Sequence, residues 1–434
     1  MKKIYWNAFE MNCVGHINHG LWKIPGNKRI NYKNLNYWTE LAKTLEKGKF
    51  DSLFLADVVG VYDVYKGGFD TSVKEAVQIP ANDPLIPISA MAHVTTNLCF
   101  AVTFSTSYEP PYSFARRMST LDHLTEGRMA WNIVTSHLDS ADKNFEIKHL
   151  LTHDEKYDLA DEYLDVCYKL WEESWEDDAV SIEKNMYYAD PTKVHKINHK
   201  GKYFDVIGPH LCEPSPQRTP VIYQAGMSER GRDFAAKNAE CIFLGGKTID
   251  DITYIINDIS ERALTFGRSL KNIKMFMGLC IVTGLTDEEI NSKVDLYKSF
   301  WSLEGNMAHY CGGQGIDLSK YSQDDNINGF AVGEIVNTLN RIDGKWFKVI
   351  IGKPKEVADQ IQHIIEQTNI DGFNLVQYHS PDTFEDFIKY IVPELQNRGL
   401  YQKDYSPGTY REKLFNLKHK YRYNKSQGVN SSRF

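Results

Sequence analysis

The sequence predicts a (β/α)8 TIM barrel with several insertion segments, and three observations support this fold. Short apolar runs alternate eight times with amphipathic stretches, as a (β/α)8 barrel requires. The runs are nearly continuously apolar, which is typical of parallel strands buried on both faces. The 434 residues exceed the roughly 250 of a plain barrel, so insertions have to hold the surplus. A doubly wound open sheet is the alternative for the same alternation.

The elements follow one another at regular intervals along the chain. The candidate strands are the β-rich apolar runs 3–9, 50–57, 98–106, 128–136, 219–226, 241–246, 273–284 and 371–378. The candidate helices are the amphipathic stretches 34–47, 82–95, 111–124, 154–175, 228–238, 249–267, 286–302 and 382–398. In the fourth, Leu159, Tyr163 and Val166 recur at helical spacing behind Asp154.

These elements predict one barrel domain over residues 1–410. The insertions are expected near 10–33, 58–81, 137–153, 176–218 and 303–352. Segment 176–218 is rich in Asp, Pro, His and Lys and is interpreted as an excursion or lid. Residues 411–434 carry seven Lys/Arg against one acid, which predicts a solvated or subunit-crossing basic tail.

Composition excludes several classes of protein. Fifty Lys and Arg against 57 Asp and Glu give a net charge of −7, a poor match to a nucleic-acid surface. Seven scattered cysteines without CxxC argue against a disulfide scaffold or structural zinc site and favour a reducing compartment. No apolar run approaches the ~18 residues of a membrane span. We expect a cytoplasmic protein. The final Ser-Arg-Phe differs from the peroxisomal Ser-Lys-Leu, so a peroxisomal location is the lesser alternative.

Polar residues follow the predicted strands where a barrel carries its chemistry, at the carboxyl ends. The candidates are Cys13, His16 and His19 after strand one, Asp57, Tyr62 and Gln78 after strand two, and His137 after strand four. Several of them have a structural alternative: Cys13 as a buried thiol, the loop histidines as solvated side chains, Asp57 as a loop cap and Tyr62 as a packing residue. His309 lies in an expected Gly-rich loop, 308–315. His137 is the strongest single candidate, because it follows its strand directly.

A phosphate site is indicated after the fifth strand. Gly226 permits close backbone approach, Ser228 can cap the next helix, and Arg230 follows. A helix N-terminus attracts anions, although a plain cap has the same pattern. No GxGxxG follows a strand and no GxxxxGK[ST] occurs, so a mononucleotide phosphate fits better than a Rossmann or P-loop site. Metal-dependent hydrolysis remains an alternative, although the histidines and carboxylates do not cluster.

Several long stretches together resemble the flavin-dependent monooxygenases of the bacterial luciferase-like family, in the nitrilotriacetate and dibenzothiophene-sulfone monooxygenase branch. The resemblance extends from Asn7 to about Leu414. Its blocks include NAFEMNCVGH, FLADVVGVYDVY, AVTFSTSYEPPY, ARRMSTLDHLTEGR, WNIVTSH, HDEKYDLADEY, GPHLCEPSPQRTPVIYQAGMSERG and DGFNLVQY. Within the branch, the sequence is most similar to the alkane-oxidising members.

This resemblance implies a barrel that uses reduced FMN from a separate flavin reductase, takes O2 and forms a homodimer. It implies FMN binding by Asp57, Ser105, Asn132, His153, Tyr157, Gly226, Met227 and Ser228, with Tyr157 and Ser228 at the phosphate. It implies catalytic positions at Cys13, His16, Tyr62, Gln78, His137 and His309, and no metal. Cys311 and Gln314 depart from the small residues expected beside His309.

The resulting expectation is a two-component monooxygenase that acts through a flavin C4a hydroperoxide. The expected substrate is apolar, a long-chain alkane hydroxylated at its terminal carbon. Oxygenation of an organosulfur or aminopolycarboxylate-type compound is the alternative within the same chemistry. A metal-dependent barrel hydrolase and a non-catalytic flavin-binding protein are the alternatives from other classes.

Overall fold

Eight parallel strands pair in chain order, and the eighth pairs back with the first, so the sheet closes into a barrel. The computed structural model describes residues 2–145, 151–182, 187–343 and 347–415. The strands are β1 (Tyr5–Met11), β2 (Ser52–Ala56), β3 (Cys99–Ser105), β4 (Met129–Val134), β5 (Val221–Gln224), β6 (Cys241–Leu244), β7 (Lys274–Thr283) and β8 (Gly372–Val376). Each lies within one of the eight predicted runs or is shifted from it by two residues. The barrel prediction is therefore confirmed, and the open sheet is excluded.

The strands are apolar throughout because both of their faces are buried. Trp6 and Ala8 of β1 belong to the core between the barrel and its helices. Tyr5 and Phe9, which point the other way, belong to the core inside the barrel. Alternate side chains of one strand thus enter two separate cores, which explains the continuous apolar runs.

Helices surround the barrel and account for the predicted amphipathic stretches. They are α1 (Leu35–Lys47), α2 (Asp70–Glu75), α3 (Ile88–His93), α4 (Pro111–Leu124), α5 (Asp139–Asn144), α6 (His153–Tyr168), α7 (Glu229–Asn238), α8 (Ile249–Thr265), α9 (Asp287–Phe300), α10 (Leu303–Gln314), α11 (Val332–Leu339), α12 (Pro354–Thr368), α13 (Asp382–Asp386), α14 (Val392–Asn397) and α15 (Tyr410–Phe415). Six helices are not among the predicted ones: α2, α5, α10, α11, α12 and α15.

The Gly-rich loop predicted at 308–315 is wrong, since these residues continue helix α10 up to Gln314. The glycines allow close packing instead. A Cβ at Gly305 would lie 2.8 Å from His19 Cβ, and one at Gly312 would overlap the Tyr62 ring. Close contact offsets the low helix propensity of glycine, which the local pattern alone cannot reveal.

The two longest predicted insertions have different roles in the fold. Segment 303–352 contains α10, α11 and an extra strand, Lys348–Gly352, that pairs with the outer half of β7. In segment 176–218, Ile197, Phe204 and Val206 pack on the outer core, and the Pro209 carbonyl accepts from Tyr112 Oη of α4 at 3.3 Å. The described part of 176–218 therefore covers the outside of the barrel, and none of it lines the cavity described below.

The predicted tail boundary at Arg411 is wrong. Helix α15 spans Tyr410–Phe415, and Arg411 is fully buried in an ion pair with Glu240, Nε to Oε1 at 2.7 Å. The Tyr410 hydroxyl hydrogen-bonds that of Tyr223 inside the barrel at 2.6 Å. This helix closes the amino-terminal end of the barrel. The rest of the predicted tail, residues 416–434, lies outside the described residues. Within the described ranges, no helix is long and apolar enough to cross a membrane.

Candidate active site

A cavity of about 990 Å³ opens at the carboxyl end of the barrel. Strands β2 to β5 and the segments that follow them supply most of its wall, and the last turn of α10 adds Gly313 and Gln314. Ten of the predicted site residues line it: Asp57, Tyr62, Gln78, Ser105, His137, His153, Tyr157, Gly226, Met227 and Ser228. This is where a (β/α)8 barrel carries its chemistry.

One end of the cavity is formed by the N-terminus of helix α7. Ser228 is the N-cap, and its side chain accepts a hydrogen bond from the Gly231 N–H at 3.0 Å. The first N–H groups of a helix have no acceptor within it, and the helix dipole adds positive potential there. We refer to Tyr157 and Gly226–Ser228 as the phosphate end, because this arrangement suits a phosphate.

Gly226 allows polar side chains to approach the backbone closely at the phosphate end. A Cβ at this position would overlap Gln224 Nε2 and lie 2.6 Å from Tyr157 Oη. A Cβ at Gly231 would lie 2.7 Å from the same hydroxyl. Both glycines thus leave room for the hydroxyl of Tyr157, a residue near the start of α6, beside the N-terminus of α7.

Arg230 does not lie beside the proposed phosphate position, as the sequence pattern suggests, but against two carboxylates of α6. Its Nη2 is 3.0 Å from Asp158 Oδ1 and 2.8 Å from Asp161 Oδ2, both on α6. The guanidinium lies 5.6 Å from the Tyr157 ring centroid. Arg230 therefore joins α6 to α7 and stabilises the position of Tyr157, with its charge compensated by two carboxylates.

The cavity floor has buried acceptors that suit a polar cofactor. On the floor itself, Gln224 Oε1 has no hydrogen-bond partner within the described residues. Directly behind the floor, Asn132 donates to Thr103 Oγ1 at 2.9 Å, and its Oδ1 likewise has no partner there. Ser105 Oγ accepts from Ser136 Oγ at 2.9 Å. Unsatisfied buried acceptors are costly, and ligand N–H or hydroxyl groups can satisfy them. A phosphate cradle at one end and free acceptors on the floor together fit FMN.

Asp57 carries the most perturbed carboxyl group of the wall. Burial and, to a smaller extent, the nearby Asp83 carboxylate raise its pKa to about 7, against the opposing effect of a hydrogen bond from the Val58 N–H. The group therefore titrates near neutral pH instead of near 4. It can exchange between a proton donor and a carboxylate under physiological conditions.

His137 follows β4 and lines the cavity, as its position in the sequence suggests. The side chain is exposed at the cavity, where partial desolvation lowers its pKa and the nearby Lys156 ammonium lowers it further. Lys156 Nζ itself is 3.0 Å from Asp142 Oδ2. His137 is therefore neutral at pH 7, so one ring nitrogen carries a proton and the other accepts one.

The wall opposite the phosphate end is built on buried histidines. His19 Nε2 is 2.8 Å from His309 Nδ1, and the His309 ring packs edge-on against the Tyr62 ring at 4.8 Å. Tyr62 donates to Gln78 Oε1 at 3.2 Å, and Gln78 Nε2 donates to the His16 carbonyl at 2.9 Å. We call these five residues the histidine wall. Three distant segments meet here: the β1 loop, the β2 loop and α10.

Four predicted site residues lie behind the lining residues. His16 and His309 are buried within the histidine wall, and Asn132 lies beneath Thr103. Cys13 is fully buried, and its thiol donates to the Gly15 carbonyl at 3.3 Å. Burial raises the Cys13 pKa to about 12, so the thiol is protonated and a poor nucleophile at pH 7.

Within the described residues, no group of three or more His, Cys, Asp and Glu side chains is arranged to hold a metal ion. Two other features differ from the sequence analysis. His19, expected to be a solvated loop histidine, is buried. Thr103, Ser136, Lys156 and Gln224 line the cavity and are absent from the predicted site. Gln224 directly precedes the glycine signal at the end of β5, so its place in the strand could have identified it.

The chain is similar in sequence to known monooxygenases over nearly its whole length. Residues 18–372 match the family described as "Luciferase-like monooxygenase". The chain is 67% identical over 416 residues to the long-chain alkane monooxygenase of Geobacillus thermodenitrificans, covering 95% of this chain and 94% of that protein. It is 46% identical over 433 residues to the dimethyl-sulfide monooxygenase of Hyphomicrobium sulfonivorans, with 95% and 90% covered.

Solved structures of two related proteins have the same fold over nearly the whole chain. The crystal structure of a long-chain alkane monooxygenase (LadA) superposes with a TM-score of 0.97 at 65% identity, covering 98% of each chain. A riboflavin lyase solved with modified FMN and riboflavin superposes with a TM-score of 0.92 at 35% identity, again covering 98% of each chain.

Proposed function

Because this chain belongs to the luciferase-like monooxygenase family, and so is a flavin-dependent oxidoreductase, we propose that it hydroxylates long-chain alkanes at the terminal carbon. Reduced FMN is the proposed co-substrate, and a separate flavin reductase supplies it. The single observation that carries the substrate is 67% identity, over nearly the whole chain, to a long-chain alkane monooxygenase.

The charges of the cavity favour an apolar substrate. Within the described residues, Lys156 is the one lysine or arginine that lines it, and this ammonium already pairs with Asp142 at 3.0 Å. A polycarboxylate needs cationic partners such as paired arginines. The aminopolycarboxylate alternative therefore has no anchor, whereas an alkane needs none.

We propose that the phosphate end binds the FMN phosphate. The Ser228 hydroxyl, the Tyr157 hydroxyl and the N–H groups of Met227 and Ser228 surround the proposed phosphate space, and Gly226 lets the Tyr157 hydroxyl lie this close to the backbone. His153, whose ring packs edge-on against the Tyr157 ring at 5.2 Å, borders the same space. Asn132, Gln224, Ser105 and Asp57 are the proposed polar partners of the remainder of FMN.

When bound, reduced FMN supplies the reaction with O2 that delivers one oxygen atom to the substrate. The protein has to hold the substrate near the flavin, exclude water and control one proton. His137 is the proposed proton-handling residue, since its neutral ring faces the cavity. The histidine wall, with Tyr62, Gln78, His16 and His309, excludes water from the same side. The protonated Cys13 thiol packs behind it and serves a positioning role.

We further propose a homodimer in the cytoplasm with transient transfer of reduced FMN from the reductase. We propose the two-component arrangement because oxygenation consumes reduced FMN, which has to be supplied again for each turnover. Gel filtration with light scattering tests the dimer, and activity with free, chemically reduced FMN tests whether the reductase acts by diffusion.

A second candidate function is oxygenation of a small organosulfur compound. It is favoured by 46% identity to a dimethyl-sulfide monooxygenase over 433 residues. A sulfide is apolar, so the same cavity can hold it. The chemistry is also less demanding, because sulfur is more easily oxidised than an unactivated C–H bond.

A single-turnover experiment separates the two candidates. The protein, chemically reduced FMN and either hexadecane or dimethyl sulfide are mixed with ¹⁸O2, and the products are analysed by mass spectrometry. We expect a 1-alkanol that carries one ¹⁸O atom. Oxygenation of the sulfide alone would replace the alkane proposal with the organosulfur one. Hydrogen peroxide as the only product with both substrates would contradict both.

A further inference from the structure

His19 is the member of the histidine wall to which the family resemblance assigns no role. It is fully buried at the end of the β1 loop, and its ring contacts that of His309 edge-on at 5.0 Å. Its carbonyl accepts from the Ser302 N–H, the N-cap of α10, at 3.0 Å. Its side chain forms a hydrogen bond with His309, seven residues after Ser302 on the same helix. His19 thus holds α10 at two points, through its backbone and its imidazole.

The packing leaves the His19 ring little freedom. Gly305 of α10 lies so close that a Cβ would be 2.8 Å from His19 Cβ. The same helix presses Gly312 against the Tyr62 ring. A shift of α10 away from His19 would therefore move the surface that supports Tyr62 and, with it, the hydroxyl that donates to Gln78.

The two hydrogen-bonding directions between these rings are not equivalent. If His309 Nδ1–H donated to His19 Nε2, the His19 proton would lie on Nδ1. That nitrogen is buried and has no hydrogen-bond partner within the described residues. A buried N–H without an acceptor is rare and costly. If His19 Nε2–H donates instead, its Nδ1 is a bare nitrogen, and His19 has no buried donor without an acceptor.

The charge states agree with a tautomeric role. Burial lowers the pKa of His19 to about 3, and nearby Glu75 only partly opposes this effect. Burial also lowers the pKa of His309, with further contributions from His19, His16 and His137. Both rings are therefore neutral at working pH. What His19 can set is which nitrogen of His309 carries the proton.

We propose that His19 is a positioning residue that donates from Nε2 to His309 Nδ1 and thereby fixes His309 as the Nε2-protonated tautomer against Tyr62. The catalytic consequence rests on the proposed function: without this bond, His309 and Tyr62 loosen, water enters, and reduced flavin yields peroxide instead of product. The tautomer itself does not depend on that function.

The direct test is the ¹⁵N spectrum of the wild-type protein labelled at histidine, with the His309 signals assigned by their loss in His309→Gln. We expect His309 to carry its proton on Nε2, with Nδ1 bare. A proton on His309 Nδ1 would overturn the proposal. This measurement needs no turnover, so it decides the tautomer even if the protein oxidises no alkane.

Activity tests the consequence in a double-mutant cycle. His19→Leu removes the donor, and we expect about tenfold less product per reduced FMN. This loss is smaller than the roughly hundredfold effect of misplacing a reacting group by about 1 Å. His19→Gln retains an N–H donor and should restore most of the yield. His363→Gln, at an exposed site on α12, is the matched control and should not change it.

If His19 acts through His309, the double variant His19→Leu/His309→Gln should be no worse than His309→Gln alone. Losses that multiply would overturn the positioning role, as would an equal loss in His19→Gln and His19→Leu. Unchanged FMN affinity in the folded variants is expected, because the phosphate end lies on the other side of the cavity. The absence of any oxygenated product from the wild type would contradict the proposed function and leave the tautomer result standing.

Discussion

The phosphate end and the histidine wall face each other across one cavity, but they are built in opposite ways. The phosphate end consists largely of backbone N–H groups, glycines and one N-cap, most of them within the short segment from Gln224 to Gly231. The histidine wall consists of side chains from three segments up to 290 residues apart, joined by His19 and His309. A local stretch of sequence therefore forms most of the proposed phosphate site, whereas the histidine wall depends on tertiary packing.

This contrast predicts separable defects. Changes at the phosphate end should lower FMN affinity and leave the fate of bound flavin unchanged. Changes at the histidine wall or His137 should leave affinity unchanged and lower the product yield. The predictions below test this separation, beginning with the largest expected effect.

Gly226→Val should nearly abolish FMN binding. Its side chain would occupy the space next to the Tyr157 hydroxyl, where a Cβ alone would lie at 2.6 Å. We expect at least a roughly hundredfold rise in Kd, about 2.7 kcal/mol, measured by anaerobic titration with reduced FMN. Gly313→Ala is the matched control, since Gly313 also lines the cavity but a Cβ there meets nothing within 4 Å. Equal losses in both variants would contradict the phosphate assignment.

His137→Ala should separate flavin oxidation from substrate oxidation. Removing the neutral imidazole takes away the proposed proton-handling group, an effect of typically 10²-fold or more for general acid–base catalysis. We expect product per reduced FMN to fall about a hundredfold and peroxide to rise to match the flavin consumed. FMN affinity should stay within about twofold of wild type. A normal product yield would remove His137 from the mechanism.

Ser228→Ala should weaken FMN binding by about fivefold, because it removes both a phosphate partner and an N-cap worth about 1 kcal/mol. Thr248→Ala is the matched control. Thr248 caps the neighbouring helix α8 in the same way, accepting from the Asp251 N–H at 3.1 Å, but does not line the cavity. Both variants should lose similar thermal stability, while only Ser228→Ala loses affinity. Unchanged affinity in Ser228→Ala would contradict the proposed contact.

Asp57 should cause a smaller, pH-dependent effect. Its folded pKa of about 7 lies above the value near 3.8 in an unfolded chain. The folded state therefore retains a proton that the unfolded chain releases, and stability falls as the pH rises from about 4 through 7. Above pH 7 the carboxylate also repels the anionic cofactor.

Asp57→Asn removes this titration. We expect the melting temperature of the variant relative to wild type to be higher at pH 8 than at pH 5, and its FMN affinity to change less between pH 6 and 8. A constant difference in melting temperature across this range would show that Asp57 is ionised throughout.

The sequence predicts the fold well because each barrel strand is short, apolar and followed by a helix. The phosphate end is predictable for a similar reason, since Gly226 and Ser228 are neighbours and their roles are local. Residues 308–315 show the opposite case. Their glycines indicate a loop until the close contacts with His19 and Tyr62 are known. The predicted positions of Arg230 and Arg411 are wrong for the same reason. Each arginine pairs with a carboxylate that is distant in the sequence.

A crystal structure with FMN tests the central claim most directly. We predict the phosphate within hydrogen-bond distance of the Ser228 and Tyr157 hydroxyls at the N-terminus of α7, with the rest of the cofactor extending over Asn132 and Gln224 towards the histidine wall. A phosphate bound elsewhere, with Gly226–Ser228 not in contact with the cofactor, would contradict the assignment of the two ends and the division of labour drawn from it.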